Sequence, residues 1–568
     1  MKPNSKENKA VPVKYYNMEE VTIKGFCKFC RNNIPLVIAV SITLFFTYGI
    51  RLFWCSIGID TVDFMLDKAN SLKWTIALWR FGSALLSKLW YIKEFNPFTA
   101  FFTAFCLIWF FTISWCYIIA VFSMNTGRNN KLIPFALVFM TMPIWAEQFY
   151  FLLQAAENAL IISLCPYVIY LLLKGLLDNE KGKIICASIL LVFMISVYQA
   201  IVPMFCCGVF ICFLFLSECS EYQPQIYRNL YLKLFITLLG SLMVYFFLAR
   251  IIVAVFNSEK NWYVEYNNQW GKIPIRDSII KILSLGYTLT VGHIPLFQRI
   301  VNPIIASYAE TFSLTDSEII EYAANVSRVH GNILLLPSAV FFLVNVTSIM
   351  RRTIPSGRRL LYMLAGIGIP LCIILLAVVT GARPPMRTLY ALPLAFAFML
   401  FYLIRTYKKK AAAIVACLSL LIAVHQAEIT AQLFYSDQIR YNEDVRLAYE
   451  LNNLITQVQP ENEKLPVVIT GSYHPSSRFQ TNFIKGGSIG YSFFELMENQ
   501  SKSTGQQTSL ILVFMRSLGI NFNMPSENQI ERAIKEAVLM PPYPNPDCVK
   551  RMQDYIVVRL SENIYENK

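Results

Sequence analysis

Charged residues are scarce in this chain. They occupy 15% of its 568 positions, whereas soluble globular chains carry about 25%, which excludes a soluble enzyme assembled from ordinary domains. Acidic residues are fewer than basic ones, 36 against 50, for a formal net charge of +14. Histidine occurs four times (His293, His330, His425, His474), never with a partner at metal-ligand spacing. There is no P-loop and no dinucleotide fingerprint. Cys27-Lys28-Phe29-Cys30 is a lone CxxC, half of a zinc site. Gly486-Gly487-Ser488-Ile489-Gly490 is rich in glycine but reads as a turn. Repeats and low-complexity tracts are absent. What is abundant is apolar: 55% of the residues, which excludes disorder in water. Most of the 14 cysteines, among them Cys106, Cys116, Cys165, Cys206, Cys207 and Cys212, fall inside apolar runs. They read as small core hydrophobes, not as a disulfide framework.

The apolar residues are gathered into runs. A stretch of about 20 crosses a bilayer as a helix. Such runs extend over Ile34 to Trp54, Phe98 to Phe122, Leu132 to Leu153, Ala159 to Leu177, Ile184 to Val197 and Ile201 to Leu216. They continue over Leu234 to Phe256, Ile333 to Met350, Leu360 to Thr380, Leu389 to Ile404 and Ala411 to Ile429. The pattern predicts an α-helical polytopic membrane protein with about eleven transmembrane helices. Ile279 to Phe297 is a candidate for one more membrane or interfacial segment. The polar stretch ahead of the first run carries no small-residue cleavage pattern behind that run, so no cleavable signal is expected.

Lys and Arg orient the chain. They crowd segment 1–33 and alternate loops: Arg128 and Lys131; Lys174, Lys181 and Lys183; Arg228 and Lys233; Arg351, Arg352, Arg358 and Arg359; Arg405 and Lys408 to Lys410. The short loops between them, at 147–157 and Tyr198, hold none. This phase predicts a cytoplasmic N-terminal segment 1–33 and a membrane domain 34–429. Its outer loops cover about 55–97 and 257–332, and a small extracytoplasmic α/β domain covers 430–568. The positive excess is explained by loops facing an anionic leaflet, not by nucleic acid. Outward protein on this scale suits an enzyme working at the outer face better than a channel.

The first outer loop opens with Asp60 and Asp63, two carboxylates just beyond the end of the first span. An acid in that place can deprotonate a hydroxyl and activate it as a nucleophile; the alternative for Asp60 is a helix cap. Leu78, Leu85 and Leu89 follow on one helical stripe, flanked by Trp74, Trp79, Phe81 and Trp90, with Arg80, Lys88 and Lys93 as cations. That reads as a helix lying among headgroups. In the second outer loop Trp262 and Trp270 bracket Tyr263, Tyr266, Asn267, Asn268 and Gln269. Rings interleaved with amides suit a sugar, and equally an interfacial loop. Tyr308 to Val329 reads as a polar helix. In the tail, Leu465 to Gly471 and Tyr555 to Leu560 read as strands and Ser509 to Phe514 as a strand or a helix start. Ser526 and Gln529 stand at capping-box spacing before a helix to about Leu539.

Charges at membrane depth are costly and tend to mark function. Arg250 lies near the outer end of the seventh span, Glu147 and Glu157 bracket the turn between the third and fourth, and Arg383 and Arg387 bracket Pro384-Pro385. Snorkelling side chains are the alternative for any one of them. Together they gather cations and carboxylates at one face, and arginine's planar fork matches phosphate oxygens.

The whole pattern resembles the type II bacterial glucosyltransferase family, which decorates O-antigen and related surface glycans. The resemblance rests on Gly58-Ile59-Asp60-Thr61, Arg80-Phe81-Gly82, Ser196-Val197-Tyr198-Gln199-Ala200, Arg387-Thr388-Leu389-Tyr390-Ala391-Leu392-Pro393, Tyr543-Pro544 and Ile556-Val557-Val558, in that order. It implies a GT-C-like fold and a polyprenyl-phosphate sugar donor used on the outer face of the bacterial plasma membrane. It also implies inverting transfer of a hexose, glucose by the resemblance, to a surface glycan or its lipid-linked precursor. Carried onto this chain, the base is Asp60, with Asp63 as second candidate. Arg387 holds donor phosphate; Arg383 and Arg250 are proposed as further phosphate ligands from position alone, and Arg80 is another candidate. Glu147, Glu157, Gln199, Trp262 and Trp270 are the substrate-binding candidates. No metal is required if arginine carries the charge; a Mg or Mn ion on Asp60 or Glu147 is compatible with the layout. A lipid-linked sugar flippase or a surface-glycan polymerase or ligase are the competing readings. Repeat symmetry with charges deep in the bundle would favour a flippase; no such symmetry is visible, and the candidate charges cluster near the outer face.

Overall fold

The computed structural model describes residues 20–54, 56–90, 95–218, 224–256, 268–290, 329, 334–350, 354, 358–460, 464–474, 483–495 and 503–564. Helix α1 (Ile23–Asn32) is amphipathic, and Thr22 caps it by accepting from the Gly25 N–H at 3.0 Å. Asn33 ends it and joins it to α2 (Ile34–Phe53). The Asn33 side chain is buried, donates to the Phe29 and Gly127 carbonyls and accepts from the Asn129 N–H at 2.8 Å. One amide thus ties the start of α2 to a loop nearly a hundred residues on.

Three short helices follow: α3 (Ile59–Leu66), α4 (Lys68–Ala77) and α5 (Phe81–Trp90). The single headgroup helix expected here is broken at Trp79, whose φ is 63°. Next come α6 (Pro97–Phe122), α7 (Leu132–Thr141), α8 (Ile144–Phe149), α9 (Leu152–Asp178), α10 (Lys181–Val197), α11 (Ile201–Glu218) and α12 (Pro224–Val255). After α13 (Ile275–Thr290) the chain forms α14 (Leu335–Met350), α15 (Arg359–Leu371), α16 (Leu375–Thr380), a 3-10 turn at Met386–Thr388, α17 (Ala391–Thr406) and α18 (Lys409–Val458).

Among the described residues six helices are long and apolar enough to cross a membrane: α2, α6, α9, α11, α12 and α18. The other five expected runs form shorter helices, and two of them show why. Leu132 to Leu153 breaks at Met142-Pro143 into α7 and α8, and Leu360 to Thr380 breaks just past Pro370 into α15 and α16. The apolar surface agrees with a membrane setting. On α12, Phe235, Ile236, Leu239, Met243, Phe246, Phe247 and Ile251 are exposed, a patch stable in hydrocarbon and not in water. Ile275, Ile279 and Leu283 form a similar exposed stripe along α13, whose later residues begin the stretch read as a further membrane or interfacial segment. By contrast α6, α9 and α11 are largely buried at the centre. Gly208 allows that packing: a Cβ there would stand 2.5 Å from Ile169 and 2.7 Å from Trp115. Tyr308 to residue 328 lies outside the described residues.

Helix α18 spans 50 residues without interruption, roughly 75 Å at 1.5 Å per residue, and so runs straight through the expected boundary at 429–430. Beyond it lie β1 (Val467–Thr470), α19 (Thr504–Ser517), α20 (Glu527–Ala537), β2 (Val549–Arg551) and β3 (Ile556–Arg559). The sheet order is β1-β3-β2, with β1 parallel to β3 (Val467 beside Ile556) and β2 antiparallel to it (Val549 beside Val558). Alternation along the strands serves two cores. Val467, Ile469, Ile556 and Val558 pack with Leu447, Leu451 and Ile455 of α18 and with Ile511 and Phe514 of α19. Val468 and Val557 pack on the other side with Ile530, Ala533 and Ala537 of α20. Ser526 and Gln529 form the capping box their spacing suggests. Val62 of α3 inserts into the first of these cores, so the segment carrying Asp60 is docked on the tail.

Candidate active site

The break between α4 and α5 aims Arg80. Gln199 donates through its amide to the Leu78 carbonyl (3.1 Å) and to the Tyr245 hydroxyl (2.8 Å), and Tyr245 donates to the Trp79 carbonyl (3.1 Å). These bonds hold the reversal that a non-glycine residue at positive φ would otherwise resist. The Arg80 guanidinium then lies 4.4 Å from the ring centre of Tyr198 and reaches the Gln154 carbonyl oxygen at 3.4 Å. Gln199 therefore acts on the geometry of Arg80 through the backbone.

Arg387 sits in the 3-10 turn fixed by Pro384-Pro385. Its guanidinium stands 4.7 Å from the Phe151 ring centre and donates to the Ser488 hydroxyl at 2.6 Å. Asp60, in the first turn of α3, has Arg387 and Arg80 as its neighbouring cations. Its side chain reaches solvent, while protein atoms around it strip part of its hydration. That crowding raises its pKa above the ordinary carboxylate range, and the two guanidiniums oppose the rise without cancelling it. Asp63 lies one turn further along the same helix; its side chain is outside the described set.

Glu147, on α8, is fully buried and accepts the backbone N–H groups of Gly487 and of Ser488, the latter at 2.8 Å. Glu157 is fully buried as well and accepts from the hydroxyls of Ser83 and of Ser87 (2.6 Å), tying α9 to α5. Beside them the Gln148 carboxamide and the Tyr390 hydroxyl are buried and have no hydrogen-bond partner among the described residues. Tyr390 packs against Tyr198 and Trp145, each at 5.5 Å between ring centres. Unsatisfied buried polar groups are uncommon, and each calls for an explanation.

The remaining candidates lie apart. Arg383 donates to the Thr288 hydroxyl of α13 at 3.4 Å. The Trp270 indole donates to the Val378 carbonyl at 2.9 Å, and its ring covers Gly381. Arg250 is exposed on α12 and makes no hydrogen bond or ion pair among the described residues. Trp262 lies outside the described residues.

Two features escaped the sequence reading. The first is the reach of the loop Ile484 to Gly490: its glycine-rich part, Gly486 to Gly490, forms the expected turn and also contacts Glu147 and Arg387. The second is a buried ionic ladder. Arg51 of α2 donates to Ser56, Ser56 donates to Asp437, Asp437 pairs with Arg440, and Arg440 pairs with Asp444 at 3.1 Å. Arg51, Ser56, Asp437, Arg440 and Asp444 are all buried. Asp444 also accepts from the Ser492 hydroxyl and the Phe493 N–H, so the ladder locks the start of the first loop, α18 and the tail together. Its signal in the sequence is the three- and four-residue spacing of Asp437, Arg440 and Asp444, which puts them on one helical face.

Both oxygens of Glu147 accept backbone N–H groups, and the charges of Arg387 and Arg80 act on Asp60. Among the described residues no three His, Cys, Asp or Glu side chains come together in a metal-ligand group.

Residues 49–404, well over half of the chain, match the family described as Glucosyl transferase GtrII. No curated protein matches the chain. The matched stretch holds Asp60, Arg80, Glu147 and Arg387 and stops before Ser488.

Proposed function

The chain belongs to the Glucosyl transferase GtrII family, and on that premise we propose that it transfers glucose from a polyprenyl-phosphate donor to a surface glycan or its lipid-linked precursor, with inversion. That it is a glycosyltransferase follows from the family. The observation that carries the proposal is a carboxylate, Asp60, set beside two arginines, Arg80 and Arg387, at one end of an apolar helical bundle.

The chemistry suits that arrangement. Asp60 takes the proton of the acceptor hydroxyl as its oxygen attacks the anomeric carbon. The bond from that carbon to the phosphate oxygen breaks, and its electron pair leaves with the lipid phosphate. A phosphodiester then becomes a monoester with one more negative charge, which Arg387 and Arg80 offset. A base whose pKa is raised toward neutrality is more effective than an ordinary carboxylate. Attack from the face opposite the phosphate inverts the anomeric centre. Gln148 and Tyr390 supply hydrogen bonds to the sugar or phosphate, and Asp63 is the second base candidate. A donor with a long apolar tail calls for grooves between lipid-facing helices, as in a GT-C architecture. The site end then faces outward from a bacterial plasma membrane, with the N-terminus inside and the tail outside.

The test is transfer by the purified full chain in vesicles, with labelled polyprenyl-phosphate-glucose and a host glycan extract. Asp60→Asn, Asp63→Asn and Arg387→Ala run in parallel. Loss in Asp60→Asn with retention in Asp63→Asn supports the assignment. Donor that crosses the bilayer unaltered, with no transfer by the wild type, rejects it in favour of a flippase.

A further inference from the structure

The tail contributes a residue to this site. Its loop is held from two directions. On one side the Ile484 N–H donates to the Ser436 hydroxyl at 3.1 Å and the Gly490 N–H to Asp437 at 3.4 Å, anchoring the loop to α18. On the other side Glu147 accepts from Gly487 and Ser488. Gly486 closes on Glu147 so tightly that a Cβ would overlap the carboxylate oxygen. Between these anchors the loop turns on itself through a Gly486 N–H bond to the Ile489 carbonyl at 2.9 Å. Ser488 is left at the tip, with its hydroxyl accepting from Arg387 at 2.6 Å.

A guanidinium has five donors in one rigid plane. Phe151 bounds that plane for Arg387 from one side, and Ser488 takes one of its terminal N–H groups. Together they limit rotation of the fork. We infer that Ser488 is a positioning residue for the transfer reaction: it orients Arg387 toward the lipid phosphate, with Glu147 clamping the loop that carries it. The inference rests on the reading of Arg387 as a phosphate ligand. It makes the tail part of the active site and extends the site beyond the residues that match the family.

The experiment uses the full chain in lipid nanodiscs, with Ser488→Ala and Ser488→Thr. Transfer kinetics are one readout. Binding of polyprenyl phosphate without sugar is the other, and it needs no turnover. Loss of a hydrogen bond to a charged group corresponds to about a tenfold or larger effect. Ser488→Ala is expected to raise the donor KM and weaken polyprenyl phosphate binding by about that factor, with the acceptor KM unchanged. Ser488→Thr, which keeps the hydroxyl, is expected to restore both. Equal binding of polyprenyl phosphate by wild type and Ser488→Ala, or no binding by the wild type, overturns the inference. So does a rise in both KM values together, or failure of Ser488→Thr to restore. If the wild type binds polyprenyl phosphate and Ser488→Ala binds it about tenfold more weakly, while no transfer occurs, the proposed reaction fails and the orientation of Arg387 toward a lipid phosphate by Ser488 stands.

Discussion

The Ser56 hydroxyl donates a hydrogen bond to Asp437 across 381 positions of sequence, and both residues are buried. Ser56 opens the segment that carries Asp60, and Asp437 belongs to the helix that carries the tail. The bond, with Arg51 on one side and Arg440 on the other, fixes the base candidate relative to the loop that touches Arg387.

Breaking that ladder at one charge leaves its neighbour buried without compensation. Arg440→Ala is expected to destabilise the protein by about 3–5 kcal/mol. Arg440→Met combined with Asp444→Leu is expected to cost less than Arg440→Ala alone. Thermal unfolding in detergent compares the two; a double variant as unstable as the sum of its singles contradicts the account.

Asp60 must be ionised to accept a proton. Because its pKa is raised by crowding, the base is lost as pH falls through that raised value and gained as pH rises through it. The acid limb of kcat/KM is expected above the ordinary carboxylate range. Arg80→Gln removes one of the two cations that oppose the rise, so the limb moves to still higher pH. Asp60→Asn is expected to lower kcat by about 10² or more and to leave no such limb. A limb that persists in Asp60→Asn assigns the titration to another group.

Gly486→Ala places a methyl group against the Glu147 carboxylate. Overpacking of this kind costs about 1–3 kcal/mol, and the loop must lift to relieve it. Faster proteolysis near residues 484–490, together with a raised donor KM, is the expected outcome. Unchanged cleavage and kinetics would show that the clamp has slack.

Glu495 lies buried in the tail. Burial pushes its carboxyl up, but bonds to His474 and the Ser492 N–H and the charge of Lys485 outweigh this and hold its pKa below the ordinary value. A depressed carboxylate stabilises the fold above its unfolded pKa of about 4.3, and the contribution is lost as pH falls through the lower folded value. Tail stability should therefore drop in that acidic window, and Glu495→Gln should flatten the drop. Acid titration followed by limited proteolysis of the tail reads it.

The membrane helices were legible because hydrocarbon demands long apolar stretches, and these are visible in one dimension. Their breaks were harder to see: Pro143 and Pro370 each stand inside an apolar run, and only the folded backbone shows where hydrogen bonding stops. In the tail, Ser526 and Gln529 were readable because a cap is a local device, whereas Ser509 to Phe514 is part of helix α19 and not a strand. Asp60 and Arg387 were found as charges at span ends. The partnership of Glu147 with Gly487 and Ser488 was not, since its donors are backbone amides that no residue type advertises and the partners are 340 positions apart for Gly487. The ladder had a visible spacing, but it lay beyond the residue where the last span was expected to end.

Helix α18 continues from the membrane into the tail without a break. Successive residues on a helix differ in azimuth by about 100°. Asp437 meets Arg51 and Ser56 only because the number of residues between it and the bundle gives the right angle. Inserting one residue there would swing the whole tail by more than a quarter turn, although every pairing group would keep its own chemistry. Two added turns would restore the phase but lift the Ser488 loop by about 10 Å at 1.5 Å per residue. In this stretch the residue count is therefore indexed by rotation and height together, as teeth are on a spindle, while the side chains facing away from the bundle carry no such constraint.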